Sequence, residues 1–327
     1  MTIDKLPMTS EMDSLVIKAK NKISSFQPEA DPTMAERLSE RLKLAAELMK
    51  LRITSFVTLT TMFGFICFTG KITLDIIGPT IGILLLSSGS AVINHYQERR
   101  TDALMKRTRN RPLPSGKVSP IDALMLALIL IVSGSAVLYQ SSGLIALGLG
   151  LLNLLWYNGI YTPLKKINPL AIIPGSIVGA LPPMIGWVSA GGSLIDPQIL
   201  ILGFFFFIWQ IPHFWLLLMI FGKDYQNAGF PTLTQIFSVD QLARITFIWI
   251  IATFVTSMLI PLFGVLKNNF IEFGLLAGGL WLTWNSLKLL KSGKENVWFM
   301  SAFKDINIFA ILVVVLLTID KLIVSIK

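Results

Sequence analysis

The segment 75-DIIGPTIGILLLSSGSAVINHYQERRTDALMKRTRNRPLPSG-116 joins two kinds of chemistry end to end. After Asp75, the remainder of the run 75–93 carries no charge and is mostly apolar, long enough for a helix that crosses a hydrocarbon layer about 30 Å thick with roughly 20 residues. From Asn94 onward the same chain carries a dense knot of carboxylates and guanidiniums. The apolar half decides the fold class, because it is one of nine such runs: about 53–70, 75–93, 120–139, 143–161, 169–190, 198–221, 243–265, 269–290 and 303–324. None alternates with the period of two that a membrane barrel strand needs, so the runs are read as helices. The expected architecture is all-α: a polytopic membrane protein with a nine-transmembrane-helix bundle over residues 51–327.

Composition agrees. Of 327 residues, 53% are hydrophobic and 14% charged, against about 25% charged in an ordinary soluble domain. Cys67 is the only cysteine, which excludes an internal disulfide and a thiolate metal cage. Residues 1–50 are polar and lack the apolar core of a cleavable signal peptide, so the first span is expected to act as the insertion signal. Within this N-terminal arm, Thr33 followed by Glu36 forms a capping-box pattern ahead of Leu38, Leu42, Ala45 and Leu48 at helical spacing. Two readings fit: an amphipathic helix lying on the membrane surface, or a continuation of the first span.

Basic residues alternate between loops. Positions 98–117 hold seven Lys and Arg, the next loop on that side holds Lys165 and Lys166, and the one after holds Lys223, whereas 140–143 and 189–197 hold none. Because Lys and Arg accumulate in cytoplasmic loops, the expected orientation puts the N-terminus in the cytoplasm. The formal net charge of +9 is thereby concentrated on one face. It can serve as a topology signal, attract anionic lipid headgroups of the surrounding membrane, or bind a polyanionic substrate. Nucleic acid is excluded as a partner, since no soluble domain presents a basic surface.

If the helix continues past Val92, Asn94, Glu98 and Asp102 stand at i, i+4 and i+8 on one face. Such a row of oxygens suits Mg2+, which takes one or two carboxylates and completes its shell with water and substrate phosphate. Arg107, Arg109 and Arg111 offer planar forks for phosphate oxygens. The competing reading is a surface helix end in which Glu98 pairs with Arg99 or Arg100. Two further loops on the same side carry similar groups: Lys223 and Asp224 in 222-GKDYQNAGFPTL-233, and Lys165 and Lys166 in 161-YTPLKKINP-169. Polar side chains also enter the spans, with Asn153, Tyr157 and Tyr161 on one helix and Gln210 and His213 on another. These either glue helices together or line a cavity.

The row Asn94-x3-Glu98-x3-Asp102, followed by 105-MKRTRNRPLPSG-116, resembles the first signature of the UbiA-type intramembrane prenyltransferases, in their haem-farnesylating branch. The segments 161-YTPLKK-166, 179-GALPPMIGW-187, 209-WQIPHFW-215 and 224-DYQNAGFP-231 agree with it. Arg100 and Thr232 depart from the family pattern, which usually has an acid and Met there. The resemblance implies transfer of a farnesyl group from farnesyl diphosphate to a vinyl group of protohaem IX (haem B), giving haem O and diphosphate. By the same resemblance, Asn94, Glu98, Asp102 and Asp224 would hold magnesium and carry catalysis, Arg107, Arg111, Lys165, Lys166 and Lys223 would bind the diphosphate, and His213 would contact haem. The membrane would be a bacterial cytoplasmic (inner) membrane, and haem A synthase or haem-copper oxidase assembly factors would be partners. Two other functions fit less of the pattern: an aromatic prenyltransferase acting on a quinone or chlorophyll precursor, and a secondary transporter, whose site usually lies near the bilayer midplane.

Overall fold

The computed structural model describes residues 33–291 and 296–326, with positions 14, 15, 18 and 20 of the arm. The chain divides into two compact units, 1–43 and 44–327. Helix α1 (Met34–Leu48), whose residues 34–43 belong to the first unit, starts at a closed capping box. The Glu36 carboxylate accepts from the Thr33 backbone N–H at 2.7 Å, and the Thr33 hydroxyl accepts from the Glu36 N–H at 3.3 Å. The Thr33 backbone N–H foremost, and then the Thr33 hydroxyl, which also donates to the carboxylate at 2.9 Å, hold the exposed Glu36 carboxyl below its usual range.

The second unit is built of helices joined by turns, with no strand among its described residues. Its principal helices are α2 (Leu51–Thr69), α3 (Ile77–Asp102), α4 (Pro120–Leu155), α5 (Ile177–Ser189), α6 (Pro197–Asn227), α7 (Val239–Leu259), α8 (Asn269–Ser286) and α9 (Asn296–Ile326). Seven stretches are long and apolar enough to cross a bilayer, against nine predicted runs. Two of the nine fall in one stretch, Pro120–Leu164, and Asn269–Ser286, with Glu272 in its first turn, is not among the seven.

The 45 residues of Pro120–Leu164 would measure about 68 Å as one straight helix, more than twice the hydrocarbon thickness. They do not run straight. Gly143 adopts φ 77° and ψ −173°, a conformation essentially reserved for glycine, and the chain doubles back there. Leu138 and Ala146, on either side of the turn, are buried in one cluster with Ile83, Leu86 and Ile185. The hairpin therefore packs both legs of α4 against α3 and α5.

The helices are packed as lipid-facing elements are. Large apolar side chains such as Ile53, Phe56, Leu128, Ile129 and Val132 point outward and are exposed, while Thr58, Ser88, Asn94, Glu98 and Asp102 are buried. In lipid an outward apolar belt needs no partner, whereas polar groups must be satisfied inside. Backbones approach closely where glycine allows it: a Cβ on Gly64 would lie 1.9 Å from the Pro183 carbonyl oxygen, and one on Gly186 would lie 1.8 Å from that of Thr61. These contacts lock α2 to α5 without side chains between them. The largest core cluster joins α2, α6, α7, α8 and α9 through Phe63, Phe205, Ile250, Leu275 and Phe309.

Candidate active site

Helix α3 runs unbroken to Asp102, so Asn94, Glu98 and Asp102 share one face at the mouth of the bundle. They are 1%, 7% and 1% exposed, respectively. Buried charges persist only when paired, and the partners come from the loop just after α3 and from two more distant parts of the chain. Lys165 forms an ion pair with Glu98, and Arg111 donates to Asp102 Oδ2 at 2.8 Å. Lys50 Nζ donates to Asn94 Oδ1 at 2.6 Å, while Asn94 Nδ2 donates to Thr162 Oγ1 at 3.1 Å. Glu98 thus does not take Arg99, the neighbour that sequence proximity offers. Arg99 lies 4.0 Å over the Tyr96 ring and donates to the Tyr96 carbonyl instead.

Local structure explains how α4 delivers Thr162 and Lys165. Pro163 has no N–H to give to the preceding turn, and the helix widens there into a π-turn over Trp156–Tyr161. Thr162 fills part of the gap, its hydroxyl donating to the Tyr157 carbonyl at 2.8 Å. The widened turn leaves Tyr157 and Tyr161 stacked at 5.8 Å, with Lys165 Nζ 5.3 Å from the Tyr161 ring centroid. Such π-bulges recur at functional sites.

Three loops gather at this end. Lys166 Nζ donates to the Gln97 carbonyl at 3.2 Å. Met105, just past α3, is buried with Ala228 and Phe230 from the turn after α6 and packs against Tyr225 in that helix's last turn. Arg107 lies 5.2 Å over Phe221. A cavity of about 310 Å³ opens between Lys166 and Gln226, Phe230 and Gln235. Asp102 and Asp224 therefore stand at the same end of the bundle, as a shared ion requires.

The four proposed metal ligands are not, however, gathered into one cluster. Among the described residues, no three His, Cys, Asp or Glu side chains converge to hold a metal. Glu98 and Asp102 are engaged by Lys165 and Arg111, and Asp224 sits in the last turn of α6 without joining them. Lys223 is exposed on the same turn. The donor set on α3 still fits magnesium, which needs only one or two carboxylates beside phosphate and water. Asp102 Oδ1 is buried and has no hydrogen-bond partner, a free lone pair of the required kind.

Two basic groups set the electrostatics outside the spans. Burial disfavours the Lys165 ammonium, but contact with Glu98, helped by Tyr161 and Tyr157, holds its pKa above the usual lysine range. For Lys50, burial dominates; despite the pull of Glu98, the repulsion of Arg111 and Lys165 helps bring the ammonium down to about 8. Lys50 is also the only described non-glycine residue with positive φ, at 49°, and forms the elbow between α1 and α2. Sequence reasoning missed it. The available signal was a lysine placed directly before an apolar run.

Deeper groups are arranged differently. His213 Nδ1 is 3.0 Å from Asn307 Oδ1, and its ring lies between Trp209 and Phe303, with centroids at 4.9 and 4.8 Å. Asn307 Nδ2 donates to the Phe303 carbonyl, so its oxygen faces His213 and assigns the proton to Nδ1. The Gln210 oxygen occupies the space over Gly179, where a Cβ would come within 1.7 Å. That close approach gives a packing role to the glycine of 179-GALPPMIGW-187.

The sequence profile described as the UbiA prenyltransferase family matches residues 57–309, most of the membrane unit. The chain belongs to this family and is a multi-pass membrane prenyltransferase. Its relatives include the protoheme IX farnesyltransferase of Oleidesulfovibrio alaskensis, 30% identical over 284 residues, covering 87% of this chain and 98% of that one. The protoheme IX farnesyltransferase of Geobacter sulfurreducens is 40% identical over 187 residues, 57% of this chain and 68% of its own. Among solved structures, a digeranylgeranylglyceryl phosphate synthase superimposes with a TM-score of 0.71 at 16% identity, covering 86% of this chain and 99% of that one. A UbiA homologue from Archaeoglobus fulgidus bound to GPP and Mg2+ does so with a TM-score of 0.61 at 14% identity, covering 84% and 99%. At those identities the two structures establish the shared fold.

Proposed function

We propose that this prenyltransferase moves a farnesyl group from farnesyl diphosphate to a vinyl carbon of protohaem IX. The farnesyl carbon–oxygen bond breaks, diphosphate departs, and a carbon–carbon bond forms to the vinyl group. Water then adds a hydroxyl to the cation left on the porphyrin side, a proton leaves, and haem O results. The observation that carries this reading is the convergence of two loops, one bearing Arg111 and the other Lys165 and Lys166, on the buried row Asn94, Glu98 and Asp102. The matching names of relatives that align over nearly their whole length support the acceptor.

An allylic diphosphate ionises when the charge building on its leaving oxygen is stabilised by groups already in place. In this reading Asn94, Glu98 and Asp102 would hold magnesium, and Asp224, in the last turn of α6, would have to move toward them to complete the set. When bound, the ion supplies charge neutralisation to the departing diphosphate. Arg111 and Lys165 lie closest to the row and clamp phosphate oxygens. Arg107, Lys166 and Lys223 surround the entrance. The farnesyl chain lies among the apolar helices, where bulk water is kept from an allyl cation. His213, its Nδ1 proton directed to Asn307, would be the side chain that contacts the haem. The site faces the cytoplasm of a bacterial inner membrane, α1 lies along that surface, and haem O passes to a haem A synthase or to oxidase assembly factors.

The test is mass spectrometry of haem extracted from cells expressing the chain with a farnesyl diphosphate supply. A mass gain of farnesyl plus hydroxyl on haem B is expected. Prenylated quinone precursor with unaltered haem contradicts the assignment.

A further inference from the structure

His95 follows Asn94 directly on α3 and is 2% exposed. Neither of its ring nitrogens has a hydrogen-bond partner. A buried imidazole in that condition is unusual, because buried polar groups are almost always paired and each exception calls for an explanation. The chain's other histidine illustrates the rule: His213 bonds Asn307 and sits between two rings. At about 100° per residue, His95 lies within about 20° of Asp102 on the α3 surface, two turns deeper. The charged groups that act on it are Lys50 and Arg111, the same two cations that hold the ends of the acidic row.

These observations describe a gap with a definite chemistry. Lys50 and Arg111 supply positive charge, and His95 supplies a donor with nothing to accept from it. Asn94 does not complete His95: its oxygen accepts from Lys50, its nitrogen donates to Thr162, and neither bonds the ring. The complement of such a set is a multiply charged oxyanion. Lying two turns nearer than Asp102 to the apolar interior in which an isoprenoid chain would lie, His95 meets the end of the anion attached to that chain.

We propose that His95 is a substrate-contact residue, donating a ring N–H to a diphosphate oxygen at the inner end of the site, beside Lys50. The inference rests on the diphosphate reading above and adds a residue to it. A neutral imidazole suits this position: it donates to an oxyanion without adding a third cation to those of Lys50 and Arg111.

The experiment measures binding of inorganic pyrophosphate, in magnesium buffer, to the full chain purified in detergent, with thermal unfolding recorded in parallel. His95→Leu should weaken pyrophosphate binding by about tenfold or more, the scale of a lost hydrogen bond to a charged group. Its unfolding temperature should hold or rise, because two unpaired buried nitrogens are removed. His95→Gln, which restores an N–H, should bind within about threefold of the wild type. If His95→Leu does not fold, the His95→Gln and His95→Phe pair decides the matter, with tenfold weaker binding expected for Phe alone. Wild-type binding by His95→Leu or His95→Phe overturns the role of His95, and so does a loss of affinity shared equally by His95→Gln. Failure of the unsubstituted protein to bind pyrophosphate refutes the diphosphate reading itself, and this inference with it.

Discussion

Asp102→Asn is the sharpest perturbation of the acidic row, since it keeps the shape of the side chain and removes its charge. Asp102 is 1% exposed and receives Arg111 Nη1 at 2.8 Å, and the Arg111 side chain is 23% exposed. Removing one partner of a fully buried ion pair costs about 3–5 kcal/mol. Here the asparagine oxygen still accepts from Arg111, and the guanidinium can reach water, so the loss of stability should be about 1–2 kcal/mol. For a protein of this size that is a fall of a few degrees in unfolding temperature. The effect on turnover should be larger. Withdrawing one preorganised charge-stabilising group from a developing oxyanion typically slows chemistry about 10²–10³-fold. The assay is pyrophosphate release from farnesyl diphosphate in the presence of haem B and magnesium, with unfolding followed in the same detergent. Turnover within about threefold of the wild type would remove Asp102 from the mechanism. A loss of turnover matched by gross unfolding would make it a structural residue only.

Three other outcomes are expected. Lys165→Met strands the buried Glu98 carboxylate and should destabilise the protein by about 3–5 kcal/mol, whereas the double variant Glu98→Gln/Lys165→Met should recover most of that loss; additive effects in the cycle would show that the two side chains are not coupled. Lys50 titrates at about 8 in the folded protein against about 10.4 in an unfolded chain. Between those values the unfolded chain binds more protons, so Lys50 makes stability rise with pH in that window and has its full unfavourable effect below it. Lys50→Met should therefore flatten the stability–pH curve between pH 8 and 10, and parallel curves would contradict the burial argument. His213→Ala should fold normally and bind haem B more weakly, with a shifted Soret band; an unchanged titration would exclude an iron contact.

Some of the site was legible in the sequence because it is local. Asn94, Glu98 and Asp102 follow helical periodicity on a single element, so reading α3 through Asp102 was enough to align them. The same holds for the turn near residue 143, marked by a break between two apolar runs. What periodicity cannot supply is pairing across elements. Lys165 reaches Glu98, 67 residues away in sequence by the two residue numbers, through a π-turn that depends on Pro163. Nothing local favoured it over the adjacent Arg99. Lys50 and His95 were passed over for the same reason: a lysine before a span reads as a topology charge, and a histidine beside a motif reads as filler, until packing shows one bonded to Asn94 and the other bonded to nothing. Asp224 is the opposite case, since its motif and loop suggest a ligand while no third acidic side chain is brought to the row.

The central claim is that the charged end of α3 ionises farnesyl diphosphate and that haem B captures the product. The most direct test is stoichiometry with the purified chain, haem B, farnesyl diphosphate and magnesium, counting pyrophosphate released against farnesylated haem by mass spectrometry. One pyrophosphate for each haem that gains a farnesyl and a hydroxyl is the predicted result. Pyrophosphate formed with farnesol and unchanged haem, or no pyrophosphate at all, would contradict it.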